Sequence, residues 1–279
     1  MKATYLTIGL CLLVGLATGC DNISEDDRYI KVEKPTVDNP RNLLIMEFTG
    51  NSCTNCPKGA AEVEKIKKRE DSGRVISVGL HPAGSPFTEP MPARYPTPHL
   101  QDFRCELATA WFNYYKPGNA FPTAIFNGME NSISGSIGEW LQKASEALKI
   151  PAKMSISATC QYDESSREVT LDYDVDFGNT ITSKLCITMW IVENHIIGTQ
   201  IDNGKTVFDY EHNHVLRGSM NGIWGEAIGD SFDSDSKVTG SVSYTIPEEW
   251  VADNCDVVVF VFKDDNKEVE QATSISIVQ

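Results

Sequence analysis

An α/β domain followed by an all-β domain is the fold class that this 279-residue sequence predicts. Three observations carry it. Between residues 43 and 148, apolar runs of strand length alternate with segments of helical periodicity. From Met154 onward, short alternating runs are separated by Gly, Asn, Asp and Ser turns. The charge also changes across Pro151, with 15 basic and 17 acidic residues over 20–151 but 8 and 22 over 152–279. A composition of 41% hydrophobic and 23% charged residues is that of a chain with a sizeable core. The net charge of -15 leaves no basic surface to neutralise a phosphate backbone, so nucleic acid is excluded as a partner.

At the N-terminus, one Lys, a short apolar run from Ile8 to Leu16 and the small residues Ala17, Thr18 and Gly19 precede Cys20. The run is short for a membrane span and has the layout of a secretory signal. Small residues abutting a cysteine resemble a bacterial lipobox. This implies a signal peptide over 1–19, lipidation of Cys20 and attachment to the membrane through it. An uncleaved anchor with an incidental cysteine is the alternative. Residues 20–40 are polar and acidic with prolines, the composition of a tether. Their Ser24–Asp27 cluster resembles the surface-export signals of Bacteroidota lipoproteins, so the expected location is the outer membrane, facing either the periplasm or the exterior.

Of eight cysteines, Cys11 leaves with the signal and Cys20 takes lipid. Export permits disulfides. Cys53 and Cys56 form a C-x-x-C with no second pair or nearby histidine motif to complete a zinc site, so no metal is expected. Cys105, Cys160, Cys186 and Cys255 sit singly among apolar residues, where a thiol behaves as a small hydrophobe. A pair among the last three stays open.

Leu43–Phe48 is a continuous apolar run broken by one acid, as in a strand buried on both faces. From Pro57, good helix formers carry Ala60, Val63 and Ile66 at helical spacing. The C-x-x-C therefore lies between a strand and a helix N-terminus, where unpaired N–H groups and the helix dipole stabilise a thiolate. Cys53 is expected to be the exposed nucleophile and Cys56 the shielded thiol that resolves a mixed disulfide. A second strand spans 74–80, and 81–98 holds six prolines, which excludes helix or sheet interior. Helical spacing recurs over 99–116, a short strand over Thr123–Phe126 ends at Asn127-Gly128, and a helix over 139–150 closes the domain.

Strand, C-x-x-C, helix, strand, helix and then F-P-T-A-I-F-N-G resemble the thioredoxin fold. The resemblance implies that Pro122 is a cis-proline packing against the disulfide, that the backbone of Phe121 pairs with a substrate chain beside Thr123, and that Glu47 is a buried acid taking the proton of the second cysteine. A buried carboxyl with a raised pKa suits that role. Ser52, Thr54 and Asn55 depart from the family pattern, so direction of redox chemistry does not carry over. His81, at a strand end, is either a tuning group near the dithiol and substrate or an ordinary loop histidine. Over its length the chain also resembles the Bacteroidota lipoproteins called the outer membrane protein 28 family. F-T-G-N-S-C-T-N-C-P, His81, Asp102–Arg104 and His212–Arg217 carry this likeness, which implies a thioredoxin-like domain over 41–151 and a β-sandwich over 152–279.

About seven short strands after Met154 suggest an immunoglobulin-like sandwich. Asp172, Asp174 and Asp176 read as the solvated face of a strand, and Asp230, Asp233 and Asp235 as a solvated loop. His212 and His214 would share one strand face, a weak metal signal without a third ligand. No cofactor motif is present. Two functions follow. One is a thiol-disulfide oxidoreductase on the outer membrane, acting on protein thiol or disulfide substrates with a redox partner whose nature, like the oxidising, reducing or isomerising direction, stays open. The other is a non-enzymatic binding lipoprotein with a structural disulfide.

Overall fold

The computed structural model describes residues 40–70, 72–90 and 101–279. The signal over 1–19, Cys20, the tether up to residue 39 and the end of the proline-rich segment lie outside the described residues. In chain order the elements are β1 (Leu43–Phe48), α1 (Cys56–Glu70), β2 (Val75–Leu80), α2 (Glu106–Tyr115), β3 (Thr123–Phe126) and α3 (Trp140–Leu148). There follow β4 (Met154–Asp163), β5 (Glu168–Phe177), β6 (Leu185–Glu193), β7 (Ile196–Asp202), β8 (Lys205–His212) and β9 (Val215–Ser219). β10 (Glu226–Gly229), β11 (Lys237–Thr245), β12 (Cys255–Lys263) and β13 (Val269–Ser276) complete the chain. The protein is thus rich in β-structure with few helices. No described helix is long and apolar enough to cross a membrane.

An eight-stranded sheet runs in the order β13-β12-β6-β9-β2-β1-β3, with β10 added on β6. Strands from both sides of Pro151 share it. The junction is made where β2 meets β9 in parallel at Gly79 and Val215, and the Gly79 N–H donates to the His214 carbonyl at 2.7 Å. The described residues accordingly form one compact unit, and position 151 marks a change of sequence texture within a shared core.

The register explains the continuous apolar runs. In β6 and β12, Ile187, Met189, Ile191, Val257, Val259 and Val261 face the three-stranded sheet β11-β5-β4. Their neighbours Cys186, Trp190, Val192, Val258, Phe260 and Phe262 face α2 and the first half of the chain. A strand covered on both faces loses the alternation of a half-exposed one. β4 and β5 keep it: Val169, Leu171, Tyr173 and Val175 point inward while Asp172, Asp174 and Asp176 point outward. Lys237 pairs with Asp174 and Asp176 at 3.1 and 3.6 Å, so these aspartates are a solvated strand face. On the other side of β1, Leu43 and Ile45 pack with Val63 and Ile66 of α1 and with Trp140 of α3. Trp111 of α2 meets Trp190 edge-to-face at 4.9 Å, which joins the two halves through aromatic packing.

Two sequence expectations are revised. The helix expected over 99–116 begins at Glu106, because Cys105 is extended (φ -139°, ψ 156°) and its Sγ accepts the Ala108 N–H as a cap. Asp102 and Arg104 instead form a local ion pair at 2.7 Å, and Phe103 turns inward against Ile196 and Val215. The second half also contains β7 and β8, a two-stranded hairpin on which the sandwich expectation was silent.

Candidate functional site around the buried disulfide

β1 ends at Phe48 and a tight loop delivers Cys53 and Cys56, the latter as the first residue of α1. The two cysteines are joined in a disulfide. Cys105, Cys160, Cys186 and Cys255 are free thiols. The loop requires Gly50, where a β-carbon would stand 2.2 Å from the Phe87 carbonyl oxygen.

The expectation of an exposed Cys53 is corrected. Cys53 is 1% and Cys56 2% exposed. Two segments cover them. Ser52 donates its N–H to the Phe87 carbonyl at 2.9 Å and its hydroxyl to that of Glu89 at 2.8 Å. From the second half of the chain, the β7–β8 hairpin lies over the loop. Gln200 Nε2 donates to the carbonyls of Gly50 and Cys53 at 3.3 and 3.0 Å, the Ile201 N–H donates to Asn51 O at 2.8 Å, and the Gly204 N–H donates to Thr54 Oγ1 at 2.7 Å. The sequence sign of this hairpin is Asn203-Gly204, both at positive φ (47° and 76°), flanked by apolar and polar alternation. Gln200→Ala removes two of these hydrogen bonds and is expected to speed reduction of the disulfide by dithiothreitol about tenfold, if they hold the cover closed by ~1.4 kcal/mol. A stopped-flow rate equal to wild type would show that the hairpin does not limit access.

Glu47 lies on the helix side of β1, buried beneath α1. Desolvation raises its pKa to about 8, against a smaller opposing effect of a hydrogen bond with Thr49, so the carboxyl is largely protonated at neutral pH. Gly59 makes room for it. A β-carbon there would stand 2.6 Å from Glu47 Oε1 and 2.8 Å from Pro122 Cγ, so the helix, the acid and the proline meet at one point. The Phe121-Pro122 peptide is cis. Phe121 shares the hydrophobic cluster of Cys53 and Cys56, its ring 5.6 Å from that of Phe87. Thr123 is buried, its hydroxyl donating to the Ala120 carbonyl at 2.6 Å.

His81 is buried at the end of β2, where desolvation is the main cause that lowers its pKa to about 3. Its ring meets that of Phe103 at 5.2 Å, and the opposite contact of Phe103 is His212, at 4.8 Å. Burial likewise lowers His212 to about 4. The sequence spacing puts His212 and His214 on one strand face. The structure separates them: His212 ends β8 inside the protein, whereas His214, at φ 57°, bonds Lys67 Nζ at 2.6 Å. Among the described residues no His, Cys, Asp and Glu cluster is arranged to hold a metal ion.

Glu47, Cys56, His81 and His212 line one cavity of about 610 Å³ between α1, β2 and the β7–β8 hairpin. Pro122 does not line it; it meets Glu47 at Gly59. Chemically, the arrangement joins a disulfide at a helix N-terminus to a buried acid.

Comparison with known proteins adds a family and a fold. A family model described as outer membrane protein Omp28 matches residues 108–279. The solved structure of HBP35 of Porphyromonas gingivalis is similar at 18% identity and a TM-score of 0.66, over 87% of this chain and 77% of that one, a likeness of fold. A domain of the outer membrane lipoprotein Omp28 from the same organism is 26% identical over 45% of this chain and 88% of that one, with a TM-score of 0.32. No curated protein matches.

Proposed function

Since this chain belongs to the outer membrane protein Omp28 family, we propose that it is a thiol-disulfide oxidoreductase held on the outer membrane by lipid on Cys20. In this reading residues 41–151 are thioredoxin-like, 152–279 form an immunoglobulin-like sandwich, and the two are welded along β2 and β9. The observation that carries it is the meeting of Glu47, Gly59 and Pro122, with Glu47 and Cys56 of the Cys53–Cys56 disulfide lining one cavity. A purely structural disulfide has no need of a buried acid, whose desolvation is a cost to the fold.

In the reduced state the Cys53 thiolate attacks one sulfur of a substrate disulfide, forming a mixed disulfide and expelling the other substrate sulfur as a thiolate. Glu47, once it has lost its own proton to solvent, takes the proton of Cys56, which attacks Cys53 Sγ. The Cys53–Cys56 bond forms, the second substrate thiolate leaves, and two electrons have passed from the dithiol to the substrate. Run backwards, the same steps oxidise a substrate dithiol. Phe121 offers backbone groups to the substrate chain: among the described residues neither its N–H nor its C=O hydrogen-bonds other backbone. Displacement of the β7–β8 hairpin is required before either direction begins.

The burial of both sulfurs favours a second reading, a non-enzymatic surface lipoprotein in which the disulfide is a staple and the sandwich binds a partner. The reduction potential decides between them. With the full chain in detergent equilibrated against glutathione, and Cys53→Ser as control, a midpoint between about -180 and -270 mV is expected for an oxidoreductase. A bond still oxidised below about -300 mV would identify a staple and overturn the enzymatic reading.

A further inference from the structure

Glu47 Oε1, Ser77 Oγ, His81 Nδ1 and His212 Nε2 are buried polar atoms without a hydrogen-bond partner. All four residues are more than nine-tenths buried, and all four line the cavity of about 610 Å³ behind the disulfide. Unpaired buried polar atoms are destabilising, and a polar chamber wide enough for several waters is where proteins satisfy them with ordered solvent. Cys56 lines the same space. At the other end His214, 30% exposed, stands against Glu64 and Lys67 and opens toward solvent.

We propose that this cavity is a hydrated proton-exchange chamber serving the dithiol, in which His212, supplied by the second half of the chain, is the positioning residue that holds the water between Glu47 and solvent. The inference rests on the redox reading. Glu47, largely protonated at neutral pH, must release its proton to solvent before each resolving step in which it takes up that of Cys56. α1 lies above it and the hairpin covers the other side, so the cavity is the way out.

The groups around the relay are compatible with it. His212 keeps one ring contact with the backbone at Thr199, which fixes the ring and leaves Nε2 toward the cavity. His81, just past the end of β2, lies across the Phe103 ring from it, and Tyr210 of its own strand meets it ring to ring at 4.8 Å. Tyr210 in turn senses the charge of Glu47. Arg217 and Asp102 act on His81 in opposite directions. Glu64 and Lys67 of α1 stand at the rim with His214, and the exposed His195–Glu211 pair closes the hairpin side at 2.7 Å.

The test is single-turnover oxidation of the reduced full chain by an aromatic disulfide from pH 5 to 9, following release of the second aromatic thiolate, the product of attack by Cys56. For His212→Phe, which fills the site without a polar atom, a roughly tenfold slower resolving step below pH 8 is expected, with the deficit vanishing toward pH 9 as hydroxide takes the proton directly. His212→Gln, which can still hold a water, should recover most of the rate. A His212→Phe profile identical to wild type, or depressed equally at every pH in both variants, overturns the proposal while leaving redox activity intact. A wild-type disulfide that no dithiol reduces removes the redox reading and this proposal with it.

Discussion

Glu47→Gln is expected to stabilise the protein at pH 8 relative to wild type, by on the order of 4 kcal/mol, and to change little at pH 4.5. The folded carboxyl is raised by desolvation from 4.5 to about 8. Its contribution is therefore fully present below the unfolded value and is lost as the pH rises to 8, at about 1.4 kcal/mol per pH unit. Between these limits the unfolded chain releases a proton that the folded chain keeps, so wild-type stability falls with pH. Glutamine keeps the shape and cannot ionise. Urea denaturation at pH 5, 6.5 and 8 measures the slope. If wild type and Glu47→Gln show parallel pH dependences, the folded carboxyl has an ordinary pKa and is too weak a base to draw the proton from Cys56.

Acidification should reveal the opposite slope. His81 is lowered to about 3 and His212 to about 4, in both cases chiefly by burial, whereas the unfolded value is near 6.5. Their stability is present above pH 6.5 and lost as the pH falls through 4 and then 3, because the unfolded chain binds protons that the buried rings refuse. The two together amount to on the order of 6 kcal/mol by pH 4, in line with two groups losing about 1.4 kcal/mol per pH unit. His81→Gln with His212→Gln is expected to flatten the fall in melting temperature between pH 6.5 and 4, whatever its effect on the absolute value at pH 7. An acid limb as steep as in wild type would place its origin elsewhere. Because the Glu47 and histidine slopes oppose one another, maximal stability is expected between about pH 5 and 7.

Much of the site was legible in the residues themselves. A thiol pair between the apolar run Leu43–Phe48 and a segment of helix formers, an acid inside that run, and Phe121-Pro122 ahead of a short strand are local patterns. The structure sets them on β1, α1 and β3 as spaced. Alternation likewise marked β4 and β5, where one face is wet. These features depend on periods of two and 3.6 residues, which the chain displays wherever one side meets solvent.

What the sequence alone determined, then, is the type and order of most elements and the identity of the dithiol with its acid. The tertiary structure decided three further matters. β6 and β12 are apolar on both faces, and a strand covered on both sides carries no mark of which strand it pairs with, so the weld of β9 onto β2 had no local signature. The exposure expected of Cys53 followed from its place at a helix N-terminus, yet access is set by Gln200 and Ile201, some 150 residues away in the chain. His212 gained its place opposite His81 in the same way, through Phe103 packed between them. Local periodicity reports which side of an element is dry; which remote segment keeps it dry is fixed only when the long loops close and the whole core packs.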